Sequence, residues 1–501
     1  MCCNIRVPNS SAPAACPLLC SLGVVSLLIF ATGILWPQAG HAQQVDSSAT
    51  CYPNRTFESN WASLDQRDTP QWYHDAKFGI FIHWGVYSVP SWAPTDREDG
   101  GVGTYAEWYW RRLFVGDSAF VAHHDSLYGE DTEYQDFAPR FNSELFAPQE
   151  WASLFRKAGA RYVVLTSKHH DGFALWPSAE SYNWNSADIG PHQDLVGRLT
   201  KAVRGAGLRM GLYYSLYEWF HPYYSYNPDN PQIERYVTEH MLPQLKDVVR
   251  RYEPSVLWAD GEWDYSHEVW HSTEFLSWLF NESPVCESVA INDRWGEDTR
   301  GQHGGFYTSE YGGSHGEETG ANVRKHVWEE TRGMGHSFGF NRNEDASDYM
   351  TSEELIHLLV NVVSRGGNLL LNVGPTADGR IPPIMQDRLL DIGTWLEVNG
   401  DAIYESTPWT SAPSAEHVRF TQKGDAVYAI LLNWPEEELS FPVEKQTEVS
   451  VSLLGHDGNL SWRYENGQLH IEPPTLSVDE VPTRHAHVFK IDGLASQAES
   501  K

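Results

Sequence analysis

Short apolar runs alternate with amphipathic stretches over the first four-fifths of the chain. The runs are FGIFIHWG (78–85), RYVVLTSKHH (161–170), RMGLYYSLYEW (209–219), SVLWADGEW (255–263), SVAINDRW (288–295), GFYTSEY (305–311), HVWEE (326–330) and NLLLNVGP (368–375). Each reads as a strand. Helical periodicity marks PQEWASLFRKAGA (148–160), DLVGRLTKAVRGAGL (194–208), QIERYVTEHMLPQLKDVVRRY (232–252), SEELIHLLVNVVSR (352–365) and PPIMQDRLLDIGTWLEVNG (382–400), with a kink expected at Pro243. Alternating strands and helices require a parallel sheet, and eight such strands predict an α/β fold of the (β/α)8-barrel kind.

From about residue 412 the period changes. VRFTQKGDAVYAILLNW (418–434), TEVSVSLL (447–454), LSWRYENGQLHIEPP (460–474) and HAHVFKID (485–492) alternate in twos and are broken by turn residues. They predict a small antiparallel β-sandwich. Its tryptophans Trp409, Trp434 and Trp462 are assigned to the core rather than to glycan contact. The expected organisation is a barrel over 43–410, a sandwich over 411–493 and a disordered tail over 494–501.

The N-terminus is set apart by its lack of charge. Arg6 is the only charged side chain before Asp46, residues 18–36 are uncharged and apolar, and Gly40-His41-Ala42 offers small residues for cleavage after Ala42. Residues 1–42 are read as a secretory signal peptide, with an uncleaved anchor as the alternative. No integral membrane insertion is expected after cleavage, and the mature chain is expected in a secreted, periplasmic or lysosome-like compartment. Removing the segment leaves Cys51 and Cys286, which rules out a disulfide framework. Two free thiols are preferred over a single bridge.

Composition narrows the function. The chain has 501 residues, 36 Lys+Arg against 67 Asp+Glu, and a net charge of −31. Such acidity argues against nucleic acid or anionic lipid as partner. Aromatics make up 13 %, including 21 Trp, so the chain has ample core.

Active sites of barrels gather at the C-terminal ends of the strands. Those ends supply His83 and Trp84, then His169, His170 and Asp171, then Tyr214, Asp260 and Glu262, Arg294 and Trp295, Glu310, and Glu329. Core packing does not call for such a run. Aromatics among hydrogen-bonding groups suit a sugar, whose C–H face stacks on rings while its hydroxyls need partners. Two carboxylates in such a pocket point to glycoside hydrolysis, one attacking and one exchanging protons. Asp260 ends an apolar strand beside Gly261. Glu310 is one of several candidates, with Glu262, Glu317, Glu318 and Glu329 as competitors, and any of them serves equally well as a salt bridge or a solvated loop residue. A zinc site from His83, His169 or His170, and Asp260 is disfavoured, because adjacent strand residues point to opposite faces. No metal and no cofactor is expected.

The motifs WYHDAKFGIFIHWGVYSVPSW, AEWYW, YVVLTSKHHDGFALWPS, GLYYSLYEWF, VLWADGEW, INDRWG and NLLLNVGPTADG together resemble glycoside hydrolase family 29, the retaining α-L-fucosidases. The likeness runs from about 55 to 410. It implies Asp260 as nucleophile and Glu310, following HGGFYTSE, as acid/base. It implies a fucose site from His83, Glu107, Trp108, His169, His170, Tyr214 (Tyr213 as second choice) and Arg294. The implied partner is a fucosylated oligosaccharide or glycoprotein glycan, and the main rival is a fucose-binding, lectin-like protein. VWEETRGMGHSFGF (327–340), with Arg332 and His336, departs from the family pattern and affects the rim and the choice of leaving group.

Overall fold

The computed structural model describes residues 51–494, apart from 53–54, 97–100, 226, 228, 313–325, 412–416 and 444–448. The proposed signal peptide, the tail beyond Leu494, Asn54, and most of the loop after Glu310 with Glu317 and Glu318 lie outside the described residues.

All eight apolar runs form strands: β1 Phe78–Ile82, β2 Tyr162–Lys168, β3 Arg209–Ser215, β4 Val256–Asp260, β5 Ala290–Ile291, β6 Tyr307–Glu310, β7 Trp328–Gly333 and β8 Gly367–Val373. They build one parallel sheet in the order β5-β4-β3-β2-β1-β8-β7-β6. The sheet curls toward a barrel but leaves a seam. Across it, the one backbone pairing between the β5 and β6 segments among the described residues is the bridge Asn292–Phe306.

Side chains of the strands alternate between two cores, as the pleat requires. Tyr73, Phe81, Tyr162, Val164, Tyr213, Val256, Trp258, Phe306 and Leu370 fill the barrel interior. Gly79 makes room there, since a Cβ would stand 2.4 Å from the Tyr162 ring. Ile80, Ile82, Val163, Leu165, Leu212, Tyr214 and Leu257 face the helices instead. Those helices include Pro148–Lys157, Leu195–Gly205, Leu242–Tyr252, Ser352–Val363 and Pro383–Asn399. Thr351 and Glu354 cap the fourth of these reciprocally. Pro243 falls inside a continuous helical stretch, directly after a π-helical turn at Tyr236–Met241, so the irregularity there takes the form of a π-turn.

The C-terminal strands are β9 Thr407–Pro408, β10 Val418–Lys423, β11 Ala426–Leu431, β12 Leu439–Pro442, β13 Ser450–Leu453, β14 Trp462–Glu465, β15 Gln468–Ile471 and β16 His487–Asp492. They form a five-stranded sheet, β13-β16-β11-β10-β9, and a three-stranded one, β12-β15-β14. Phe420, Val427, Ala429, Phe441, Leu469, Ile471, Phe489 and Ile491 are buried between the two. The opposite face of the larger sheet, with Tyr428, Ile430 and Val488, joins the barrel's helical core. Trp409 is buried and Trp434 half-buried in the sandwich core, as assigned, but Trp462 is exposed.

The two mature cysteines are not free. Cys51 and Cys286 form a disulfide with Cα atoms 6.1 Å apart. A sequence separation of 235 concealed their proximity. The entry segment lies along the helix Ser272–Asn281, where the Phe57 backbone is clasped by the Asn281 amide and Ser277.

Candidate active site

A cavity of about 70 Å3 opens at the C-terminal ends of the strands. Its lining includes His83, Glu107, Trp108, His169, His170, Asp260 and Glu310, with Phe81, Tyr213, Trp258 and Phe338. Ring faces and polar groups alternate around it.

Asp260, the last residue of β4, is buried in this cavity. Arg294 Nη1 donates to its Oδ1 at 2.8 Å, and Tyr213 Oη donates to its Oδ2 at 2.8 Å. Burial works against its charge, but Arg294, followed by His170 and Arg300, outweighs burial and holds its carboxyl below the usual range. His170 Nε2 lies 3.6 Å away. Burial pushes that imidazole down to about 3, so the contact is dipolar and Arg294 is the counter-charge.

Arg294 follows β5 across the seam and is itself buried. Its Nε donates to Thr308 Oγ1 at 2.8 Å, and its Nη2 donates to Glu310 Oε1. The guanidinium lies over the Trp258 ring, 4.5 Å from the centroid. One planar fork therefore holds both carboxylates, a geometry that Lys cannot copy. Glu310 ends β6 with its side chain 34 % exposed, against 10 % for Asp260.

The histidines form one wall. His83 Nδ1 faces Asn372 Oδ1 at 2.7 Å, and the Asn372 amide donates to Phe338 O, so the His83 proton sits on Nδ1 and Nε2 is left as an acceptor. Burial lowers His83 to about 4. His170 Nδ1 meets Ser215 Oγ at 2.7 Å. Nδ1 of His169 is buried without a protein partner. Both histidines of the adjacent pair reach the cavity because they lie beyond the end of β2 at Lys168, where the alternation of the strand has ended. Glu107, in the 3-10 turn Ala106–Trp108, accepts from Gly339 N at 2.8 Å and Ser337 Oγ at 3.1 Å. Burial pushes its carboxyl up to about 7.

Tyr214 is not in the cavity and Tyr213 is. In the parallel register Tyr213 stands beside Trp258 and Ser215 beside Asp260, so these face the barrel interior. Tyr214 has the other parity. It lies under the helices, where its hydroxyl donates to Gln244 Oε1 at 2.8 Å. Five further strand-end residues also serve elsewhere, and one of them, the buried Glu262, accepts from Arg300 Nε at 2.6 Å. Trp84 and Trp295 are packed in the outer core. Asp171 accepts from Tyr134 Oη. Glu329 sits one layer below the cavity, accepting from Tyr73, Tyr162 and, at 2.9 Å, Trp258 Nε1. Sequence reading missed Phe81 and Trp258. Each lies two residues before a recognised site residue, His83 or Asp260, and so shares its face.

One cluster outside the cavity brings three metal-ligating types together. Ligand atoms of Glu218, His221 and His240 lie within 4.8 Å of one another. Glu218 Oε1, however, already takes Lys168 Nζ and His240 Nε2, each at 2.7 Å. The buried carboxylate has its cation, and a metal would have to displace Lys168.

The sequence model of the family described as Alpha-L-fucosidase matches residues 44–401, and that of the Alpha-L-fucosidase C-terminal domain matches 413–492. The chain belongs to the alpha-L-fucosidase family. Among curated members of this family, it is 42 % identical to human tissue alpha-L-fucosidase over 458 residues, spanning 90 % of this chain and 94 % of that protein. It is 44 % identical to the alpha-L-fucosidase of Dictyostelium discoideum over 416 residues, 81 % of this chain and 87 % of the other. A solved family member, the Thermotoga maritima alpha-fucosidase bound to a mechanism-based inhibitor, superposes with a TM-score of 0.74. It is 38 % identical and covers 87 % of this chain and all of its own. As a fucosidase-family hydrolase, the protein has its barrel and sandwich in common with these relatives.

Proposed function

We propose that the chain is an exported exo-α-L-fucosidase that removes terminal fucose from glycans with retention. The observation that carries this is the Arg294 fork, which holds Asp260 deep in the cavity and Glu310 near its mouth. Carboxylates sharing one guanidinium suit the roughly 5–5.5 Å separation of retaining enzymes, not the wider gap that admits a water between them.

Asp260 attacks C1 of fucose while the C1–O bond to the leaving sugar breaks. Glu310 gives its proton to the departing oxygen. In the second half Glu310 takes a proton from water, the water oxygen bonds to C1, and the bond to Asp260 breaks. One negative charge moves between two carboxylates. Asp260 carries it before attack and Glu310 carries it in the covalent intermediate, and Arg294 is placed to meet it in either position. Trp258 and Phe81 line the sugar's site with apolar ring surface, and His83, His169, His170 and Glu107 offer partners for its hydroxyls. A solved relative is recorded in complex with fucose, which supports the same sugar here.

Export is supported by the charge-free N-terminal stretch and by the Cys51–Cys286 bridge, a bond favoured outside reducing compartments. No helix among the described residues is long and apolar enough to cross a membrane.

The test is release of nitrophenol from p-nitrophenyl α-L-fucoside by the mature chain, beside Asp260→Gly and Glu310→Ala. Turnover by wild type should fall by several orders of magnitude in both variants. Azide should rescue each, giving β-fucosyl azide with Asp260→Gly and α-fucosyl azide with Glu310→Ala. Fucose binding without turnover of aryl or oligosaccharide fucosides would replace the enzyme with the lectin-like reading.

A further inference from the structure

The rings that floor the cavity are enclosed, and its rim is not. Phe81, Tyr213 and Trp258 are almost wholly buried, whereas Trp263 and Val102, which line the same cavity, are each 38 % exposed. Both come from loops, and both loops are held.

Trp263 stands three residues after Asp260. Gly261 turns the chain between them at φ +73°, and a Cβ there would strike Tyr217 at 2.1 Å, so only glycine permits the turn. The Trp263 ring is then wedged edge-on against Tyr217 (centroids 5.5 Å apart) and His170 (5.4 Å), and it leans over Trp108 at 6.1 Å. Three contacts fix its plane and leave the remaining surface open. Val102 belongs to the short turn Gly101–Gly103, whose backbone is tied down when Arg112 Nε donates to Val102 O at 3.0 Å.

An exposed tryptophan with a fixed plane costs hydration and gains nothing in folding from its open face. Its position gives that face a use. The leaving oxygen must lie between C1, which Asp260 attacks, and Glu310, so the leaving group extends out through this rim. We infer that Trp263 and Val102 form a leaving-group subsite that takes the apolar C–H face of the pyranose from which fucose is cleaved. Stacking of a sugar face on an indole supplies the affinity, and the valine on the same rim adds apolar surface beside it. The inference rests on the fucosidase reading above and adds to it the class of aglycone: a hexopyranose held flat, rather than a bare hydroxyl or an unstacked peptide.

The test compares two kinds of substrate in wild type and Trp263→Ala. One is α-L-fucosyl fluoride, whose leaving group has no ring. The other is a set of fucosyl disaccharides, linked 1→2 to galactose and 1→3 or 1→6 to N-acetylglucosamine. The readout is the ratio of kcat/KM for the best-cleaved disaccharide to that for the fluoride. It should fall about tenfold in Trp263→Ala, the size of a lost stacking contact, and recover most of the way in Trp263→Phe. An unchanged ratio, with both substrates slowed equally, would make Trp263 a structural support of His170 and overturn the inference. So would a wild type that cleaves the fluoride and none of the disaccharides. A wild type inactive on both would instead defeat the fucosidase reading itself.

Discussion

Two adjacent tyrosines lie near the end of β3, and the structure gives them different work. Tyr213 Oη donates to Asp260 Oδ2, and both groups are buried. Replacing Tyr213 by Phe removes that donor and little else, since the ring remains beside Trp258. A hydrogen bond to a charged acceptor is worth about 1.5–3 kcal/mol, and about 1.4 kcal/mol corresponds to one pH unit. Arg294 still holds Oδ1, so the low end of that range applies. The sign follows from the chemistry. A carboxylate that attacks C1, as proposed for Asp260, must be ionised, and loss of a donor disfavours the ionised form. The acid limb of the kcat/KM profile should therefore move up by roughly one pH unit in Tyr213→Phe. Tyr214→Phe removes a hydrogen bond to Gln244 on the far side of the strand. It should lower the melting temperature and leave the acid limb in place. The assay is kcat/KM for an aryl α-L-fucoside between pH 3 and 8. An unmoved limb in Tyr213→Phe, or an equal shift in Tyr214→Phe, would refute the reasoning from strand parity.

Arg294→Lys keeps the charge but serves only one carboxylate, and kcat/KM should fall at least about a hundredfold, as expected for breaking a buried charge pair; retention of most activity would remove the fork from the mechanism. His83 near 4 and His170 near 3 stay neutral at physiological pH. Inhibition by fucose should therefore show no imidazole step near 6.5, and a tenfold step there that vanishes in His83→Gln or His170→Gln would mean that an imidazolium binds the sugar; steps from the buried carboxyls of Glu107 and Glu262, both pushed up to about 7, would survive those substitutions. Reducing the Cys51–Cys286 bridge, or Cys286→Ser, should cost up to about 5 kcal/mol of stability by loss of a long cross-link while activity at room temperature persists; an unchanged melting temperature would show that the bridge constrains nothing.

The eight barrel strands were legible as short unbroken apolar runs, and the five long helices as stretches with a period of 3.6. Asp260, Arg294 and the three histidines were legible as strand-end residues. What failed has identifiable causes. The pair Tyr213-Tyr214 carries no mark of parity, and only the register against Trp258 settles it. Glu329 reads as a strand end in HVWEE, but β7 runs on to Gly333, so Glu329 lies early in the strand and deep in the barrel. Glu107 sits in a 3-10 turn far from any strand, where periodicity says nothing and the family likeness alone picked it out. The disulfide joins segments that no local pattern connects.

The seam between β5 and β6 has a consequence for stereochemistry. Asp260 is fixed by the backbone of β4, well inside the sheet, whereas Glu310 rides on the far bank of the seam. Apart from the one bridge between Asn292 and Phe306, the described links across it near the site run through side chains: Arg294 to Glu310 and Thr308, and Thr308 to Asp293. The distance between the two carboxyls, which distinguishes retention from inversion, is thus set by a spring of charged side chains and not by a ladder of peptide bonds. A perturbation that slackens this spring would loosen the outcome of the reaction at the anomeric carbon before it loosened the fold.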